Sequence, residues 1–120
     1  MSFTNKVFLI TGGSKGIGKA VALGAASQGA SVVISYLSDA RAAEAVISQI
    51  GRDRAIAVQA DASNPDDIDR LVKVAVDRFG KIDVVIPNGI LPLPLFYYPL
   101  DQPPFRHSRI GSLVAIANDI

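Results

Sequence analysis

The sequence alternates short apolar runs with longer segments in which apolar residues recur every three or four positions. The short runs are Val7–Ile10, Val32–Ile34, Ala55–Val58 and Ile82–Ile86. A short run without polar alternation is typical of a strand that is buried on both faces. Such strands, separated by helices, pair in parallel through right-handed crossovers. The pattern therefore predicts the order βαβαβαβ, which is an α/β fold of three layers (α/β/α) with a parallel sheet of about four strands.

The three intervening segments carry signals for the ends of helices. The first helix is predicted over Ile17–Gln28, and its many small residues allow close approach to a sheet. Either Ser38 or Asp39 can cap the second helix. The third helix is predicted to have Asn64 as its cap and Pro65 at its first position. We therefore expect each helix to begin close to the end of the preceding strand.

Composition and charge exclude several functional classes. The 120 residues are 49% apolar, and 12 Lys+Arg against 11 Asp+Glu give a net charge of +1. This balance argues against a nucleic-acid partner. The absence of cysteine and the single His107 exclude a disulfide framework, a cysteine nucleophile and a multi-histidine metal cluster. Because the sequence has no apolar stretch long enough to cross a bilayer and no signal-peptide core, we expect a cytoplasmic protein without a membrane or metal partner.

A glycine-rich segment lies between the first predicted strand and the first predicted helix. Thr11–Gly18 reads Thr-Gly-Gly-Ser-Lys-Gly-Ile-Gly. We expect Gly12 to make the tight turn, Gly16 to let the backbone approach a diphosphate, and Gly18 to let the helix pack against the strand. The free N–H groups of the first helical turn favour a bound anion at this point.

A triphosphate-binding loop is the rival interpretation of the same glycines. Gly13–Lys19 fits the first seven positions of such a loop. The eighth position is Ala20, which lacks the hydroxyl group that would ligate magnesium. The sequence therefore disfavours a nucleoside triphosphatase.

The spacing of Thr11–Gly18 resembles the cofactor loop of the short-chain dehydrogenase/reductase family, and the resemblance continues over residues 5–90. It implies a Rossmann-like fold, truncated relative to the family, and hydride transfer between a nicotinamide dinucleotide and an alcohol or carbonyl group. Asp61-Ala62-Ser63 is similar to a family segment whose aspartate binds the adenine amino group. The resemblance implies a set of cofactor-binding residues: Gly12, Ser14, Lys15, Gly16, Ile17, Gly18, Tyr36, Asp61, Ala62, Asn88 and Gly89.

Two features favour NADP(H) over NAD(H) as the cofactor. NAD-specific relatives usually carry an acid at the end of the second strand, where this chain has Ser35-Tyr36-Leu37. Asp39 comes later, where capping the second helix is the simpler role. Lys15 lies in the loop at a place where NADP-preferring relatives often carry a basic residue for the 2′-phosphate.

The resemblance weakens after the fourth strand. Pro87 stands at the first asparagine of the family's Asn-Asn-Ala-Gly segment, and Asn88 is expected to keep the role of the second asparagine beside the cofactor ribose. Residues 91–120 form a divergent tail that matches nothing in the family, and proline is concentrated around residues 87–104.

The catalytic pair of the family is a tyrosine followed four residues later by a lysine that lowers the tyrosine pKa. Tyr97 and Tyr98 are followed at that distance by Asp101 and Gln102, and no lysine occurs after Lys81. We therefore assign no catalytic residue.

Three interpretations stay open. The first is the NADP(H)-binding portion of such an oxidoreductase, residues 1–90, catalytically incomplete because of a frameshift, a retained intron or a misassigned gene model near Asn88–Ile90. The second is a genuine short non-catalytic protein that binds a nucleotide or a partner, and the third is an enzyme with unfamiliar catalytic residues in the tail. The fourth strand forms an edge unless residues 91–120 cover it, and an exposed apolar edge can pair with another chain. Because the ordered part is also small, we expect low stability.

Overall fold

The structure is a computed structural model in which residues 2–88 of the 120-residue chain are described. Its elements alternate along the chain as predicted. They are β1 (Val7–Ile10), α1 (Gly16–Ser27), β2 (Ser31–Tyr36), α2 (Ala40–Ile50), β3 (Ala55–Gln59), α3 (Pro65–Phe79) and β4 (Val84–Ile86). The predicted tail, residues 91–120, lies outside the described residues.

The four strands form one parallel sheet in the order β3-β2-β1-β4. In this sheet Phe8 lies between Val32 of β2 and Val84 of β4. The chain moves outward from β1 through β2 to β3 and then crosses to the other side of β1. The carboxyl ends of β1 and β4 therefore flank the point where the strand order reverses, which is the position where open α/β sheets bind ligands.

Two apolar layers cover the two faces of the sheet. Phe8 and Ile10 share a buried cluster with residues of α1 and α2, whereas Leu9 and Val33 share a second buried cluster with Leu71 of α3. Alternate residues of one strand thus face opposite layers, as the pleat requires. The predicted three-layer α/β/α architecture is confirmed.

Side-chain caps fix the starts of the second and third helices. The Asp39 carboxylate accepts a hydrogen bond of 3.0 Å from the Ala42 N–H, so Asp39, rather than Ser38, caps α2. The Asn64 amide oxygen accepts from the Asp66 N–H at 2.9 Å at the start of α3, as predicted. Among the residues that the structure describes, no helix has the length and apolar character needed to cross a membrane.

Two strand boundaries differ by two residues from the sequence prediction, and two others differ by one residue. β2 extends past the apolar run to Tyr36, because β3 continues to pair with it as far as Tyr36 opposite Gln59. β4 is shorter than predicted and begins at Val84. Before it, the Asp83 carboxylate accepts a hydrogen bond of 2.8 Å from the Val7 N–H. At the start of the β1–β4 pair, the partner of this backbone N–H is therefore a side chain and not a strand carbonyl.

Candidate functional site

The turn after β1 is held by both neighbouring strands. The Thr11 N–H donates to the Ile86 carbonyl at 3.1 Å, at the end of β4. On the other side, the Gly12 N–H donates to the Ser35 hydroxyl at 3.2 Å and the Gly13 N–H to the Ser35 carbonyl at 3.1 Å. Gly12 has a φ of +64°, which favours glycine, so it makes the tight turn as expected.

Ser35 of β2 holds this turn, and the sequence pattern did not assign it to the site. It is only 1% exposed and lies near the end of an otherwise apolar strand. Its hydroxyl and carbonyl groups both accept hydrogen bonds from the glycine turn. The signal in the sequence was a lone hydroxyl residue after the run Val32–Ile34, since a buried polar group requires a hydrogen-bond partner.

The N-terminus of α1 has no side-chain cap among the described residues. Lys15 is the N-cap residue with an extended backbone, and within residues 2–88 no side chain caps this helix and no acid lies in its first turn. Gly16 has a φ of +56°, and apart from its chain neighbours and the backbone of its own helix no described atom lies within 4 Å of where its Cβ would stand. The first-turn N–H groups therefore keep the partial positive charge of a helix N-terminus. The neighbouring Ser14 is half-buried, and Ile17 is 75% exposed.

Gly18 permits a close contact inside the site. A Cβ at this position would clash with the Gly12 carbonyl oxygen and the Asn88 side-chain nitrogen. The glycine spacing predicts that Gly18 lets the helix pack against the strand. The nearest atoms instead belong to the turn and to Asn88, so the close contact is with the loop that follows β1.

Lys15 forms an ion pair across the loop. Its Nζ lies 3.0 Å from Oδ2 of Asp39, and both side chains are partly exposed. The hydrogen bond from the Ala42 N–H lowers the pKa of Asp39, and the contact with Lys15 lowers it further. The lysine expected to be available for a phosphate is thus paired with the carboxylate that caps α2.

Asn88 connects the end of β4 to the turn after β1. Its Nδ2 donates to the Gly12 carbonyl at 3.1 Å, and its own N–H donates to the Ile86 carbonyl at 2.9 Å. The side chain is half-buried. A role beside a ribose stays a prediction, but the structure does place Asn88 against the glycine loop. Gly89 lies outside the described residues.

Asp61 holds the turn that follows β3. Its Oδ1 accepts from the Ser63 hydroxyl at 2.6 Å and from the Ser63 N–H at 2.9 Å, and these two hydrogen bonds lower its pKa. Ala62 lies in this turn and is half-buried. Tyr36 is also half-buried, and its carbonyl accepts from the Ala60 N–H at 3.0 Å. Adenine recognition by Asp61 stays a prediction.

The predicted residues lie along one edge of the sheet, because the carboxyl ends of parallel strands meet there. Tyr36 ends β2 and Asp61 follows β3, the uncapped start of α1 lies at the centre, and Asn88 follows β4. Such an arrangement suits an elongated ligand with an anionic centre, whose two ends extend to either side of β1.

Comparison with known proteins decides the family. The family model for short chain dehydrogenases matches residues 6–96. The chain belongs to the short chain dehydrogenase family. The match ends six residues beyond the limit of 90 that the sequence resemblance predicted, and it covers the whole described sheet. Members of this family are oxidoreductases with a fold that binds nicotinamide dinucleotides.

Two individual reductases are similar to this chain in sequence or in structure. The chain is 45% identical over 90 residues to the 3-oxoacyl-[acyl-carrier-protein] reductase of Synechocystis sp., covering 73% of this chain and 36% of that protein. It resembles the structure of a Brucella melitensis 3-ketoacyl-(acyl-carrier-protein) reductase complexed with NADH, with 44% identity, a TM-score of 0.67, and coverage of 71% and 34% of the two chains.

A second solved structure is a blue fluorescent protein from a metagenomic library in complex with NADPH. Its identity is 32% and its TM-score 0.72, over 78% of this chain and 39% of that chain. The Rossmann-like fold is therefore confirmed. The chain spans little more than a third of the length of these similar proteins.

Proposed function

We propose that this chain holds NADP(H), in preference to NAD(H), as the cofactor-binding portion of a short chain dehydrogenase that interconverts a carbonyl and an alcohol. The observation that carries the proposal is the uncapped N-terminus of α1 at the point where the strand order reverses. α2 and α3 begin with the side-chain caps Asp39 and Asn64. The start of α1 keeps its backbone donors for a ligand.

The residues around this helix start fit a dinucleotide diphosphate. Gly16 leaves open space beside the backbone, and the first-turn N–H groups have the polarity that an anion requires. We assign the diphosphate to Gly12, Ser14, Gly16, Ile17 and Gly18. A side chain at Gly16 would occupy the space that the diphosphate needs.

The two halves of the dinucleotide extend to opposite sides of β1 in this proposal. The adenosine half lies beside Tyr36, at the end of β2, and beside Asp61 and Ala62, which follow β3. The nicotinamide half lies beside Asn88 and Gly89, which follow β4. When bound, the nicotinamide ring supplies the hydride chemistry, while the residues of this chain bind and orient the cofactor.

The preference for NADP(H) depends on charge at the adenosine end. Lys15 Nζ supplies a cation near the start of α1, and the segment Ser35–Leu37 contains no acid that would repel a 2′-phosphate. Of the similar structures, the Brucella melitensis reductase is complexed with NADH and the blue fluorescent protein is in complex with NADPH. The fold is therefore compatible with either dinucleotide, and we attribute the preference for NADP(H) to individual residues such as Lys15.

A second candidate function is a non-catalytic protein that binds the dinucleotide. It is favoured by one observation: the uncapped start of α1 beside the glycine loop offers backbone donors for binding a dinucleotide, and these groups take no part in hydride transfer. Purified chain should then bind NADPH without oxidising it in the presence of a broad panel of carbonyl compounds. Carbonyl-dependent oxidation of NADPH would contradict this second candidate.

The free edge of β4 is the third part of the proposal. Among residues 2–88, β4 pairs with β1 alone. An unpaired strand edge presents N–H and C=O groups that can pair with another strand. We propose that this edge accepts a further strand, from the same chain or from a second copy.

Thermal unfolding of the chain with each dinucleotide tests the proposed function. A ligand that binds only the folded state, at a hundred times its Kd, stabilises it by about 2.7 kcal/mol. NADPH should raise the unfolding midpoint more than NADH at equal concentration. Lys15→Gln should reduce the difference, whereas Lys73→Gln, an exposed lysine of α3, should preserve it.

A fluorescence titration of NADPH and NADH gives an independent measure of the same affinities. If neither cofactor shifts the midpoint nor binds in the titration, the proposal is wrong. If both bind equally, the cofactor site stands but the preference for NADP(H) does not.

A further inference from the structure

The Lys15–Asp39 ion pair connects the two segments that lie at the adenosine end of the proposed site. Lys15 ends the glycine loop just before α1, and Asp39 ends the loop between β2 and α2. The distance from Nζ to Oδ2 is 3.0 Å. The lysine assigned to phosphate recognition therefore already has a negative partner.

We propose that Asp39 is a specificity-determining residue that weakens the preference for NADP(H) by holding Lys15. The inference rests on the proposed function, because it concerns the same cofactor site. In this arrangement Lys15 recognises a 2′-phosphate only partially, and the site accepts both nicotinamide dinucleotides.

The position of the Asp39 carboxylate is fixed from two sides. Oδ1 accepts from the Ala42 N–H at 3.0 Å, and Oδ2 contacts Lys15. The hydrogen bond to the first turn of α2 keeps the charge in place when the lysine moves. A 2′-phosphate that approaches Lys15 must share the ammonium group with this carboxylate, whereas the 2′-hydroxyl of NAD(H) does not depend on the charge of the lysine.

The effect of Asp39 is limited by solvent. The side chains of Lys15 and Asp39 are 69% and 43% exposed. Exposed pairs of this kind contribute little and are screened by salt. We therefore expect Asp39 to change the ratio of NADPH to NADH affinity by roughly two- to fivefold.

The capping role of Asp39 can be separated from its charge. Asparagine caps helices about as well as aspartate, since its amide oxygen accepts the same hydrogen bond. Asp39→Asn thus keeps the contact with Ala42 and removes only the charge. The matched control is Glu44→Gln, which makes the same charge change on α2 at an exposed carboxylate paired with Arg52 at 2.8 Å.

The test measures Kd for NADPH and NADH by fluorescence titration in the full chain. It uses the wild type, Asp39→Asn, Lys15→Gln, the double variant and Glu44→Gln. Adenosine 2′,5′-bisphosphate and 5′-AMP serve as probes of the adenosine end alone. Asp39→Asn should raise the ratio of NADPH to NADH affinity about two- to fivefold. This gain should vanish in the Lys15→Gln background and shrink at about 1 M salt.

The outcomes separate this inference from the function on which it rests. If both dinucleotides bind and Asp39→Asn leaves their ratio unchanged, the inference is wrong and the proposed function stands. A gain that persists without Lys15, or that Glu44→Gln reproduces, also overturns the inference, because the charge then acts by another route. Absence of binding of either dinucleotide overturns the proposed function and the inference together.

Discussion

Asn88 donates a hydrogen bond of 3.1 Å from Nδ2 to the carbonyl oxygen of Gly12, two residues separated by 76 positions in the chain. The same nitrogen lies close to Gly18, at the start of α1. The Asn88 side chain thus contacts both the turn after β1 and the start of α1, and it fixes the distance between them. The geometry of the glycine loop therefore depends on a residue that is distant in the sequence.

Replacing the Asn88 amide with a carboxylate should destabilise the fold. Asn88→Asp keeps the size of the side chain but replaces the donor that faces the Gly12 carbonyl with a carboxylate oxygen. The contact is partly buried. Loss of the partner of a fully buried acceptor costs about 1 to 3 kcal/mol, so we expect a fall at the lower end of this range, about 1 kcal/mol, in the free energy of unfolding in urea. Asn88→Ala should cost less, because it adds no repulsive oxygen. Equal stability of Asn88→Asp and the wild type would show that this contact does not support the loop.

Two glycines of α1 should respond in opposite directions to alanine. Gly18→Ala places a Cβ against the Gly12 carbonyl and Asn88, and such overpacking costs about 1 to 3 kcal/mol. Gly24→Ala lies in the same helix, is exposed and meets no described atom within 4 Å. It should stabilise the fold by about 0.5 to 1 kcal/mol through helix propensity. Urea unfolding of both variants measures the contrast, and stabilisation by Gly18→Ala would contradict the close contact.

Gly16→Ala should weaken cofactor binding beyond its effect on stability. Gly16 and Gly80 both have positive φ and open space around the Cβ position. Alanine at either position should therefore cost about 1 to 2 kcal/mol of stability. Only Gly16→Ala places a methyl group where the diphosphate is proposed to lie, so it alone should weaken NADPH binding by roughly tenfold or more, about 1.4 kcal/mol. NADPH titration checks this, and equal affinity of the two variants would argue against the assigned diphosphate position.

The Asp83 carboxylate should make stability depend on pH in the acid range. Burial opposes its ionisation, but the hydrogen bonds from Lys81 and from the Val7 N–H outweigh burial and lower its pKa below the ordinary 3.8. The folded state therefore binds fewer protons than the unfolded state in this range. The stabilisation is complete above the unfolded pKa and is lost as the pH falls through the folded pKa.

Asp83→Asn should lower the free energy of unfolding by about 1 kcal/mol at pH 7. The difference from the wild type should shrink as the pH falls below about 4. Urea unfolding of both proteins at pH values from about 3 to 7 measures this difference in the free energy of unfolding. Asp77→Asn makes the same charge change on an exposed position of α3 and serves as the control. A difference that grows on acidification would contradict a lowered pKa for Asp83 in the folded state.

Local signals in the sequence predicted the elements of the fold. The apolar runs indicated four strands, and the Asn64-Pro65 pair indicated the start of α3, because a cap and an N1 proline act within one helical turn. The turn at Gly12 was predicted for the same reason, since a backbone conformation is a property of a few adjacent residues. The limits of β2 and β4 were missed by two residues each, because the pairing of β2 with β3 and the contact of Asp83 with Val7 join separate segments.

The sequence by itself thus determined the order of strands and helices, the Asn64 cap of α3 and the glycine loop, all of which depend on neighbours along the chain. The tertiary structure alone decided that Ser35 holds the glycine turn, that Asn88 contacts Gly12, and that Asp39 pairs with Lys15. Each of these contacts joins residues from different elements. They exist because four parallel strands bring their carboxyl ends to one edge, where short side chains from separate segments come within hydrogen-bonding distance.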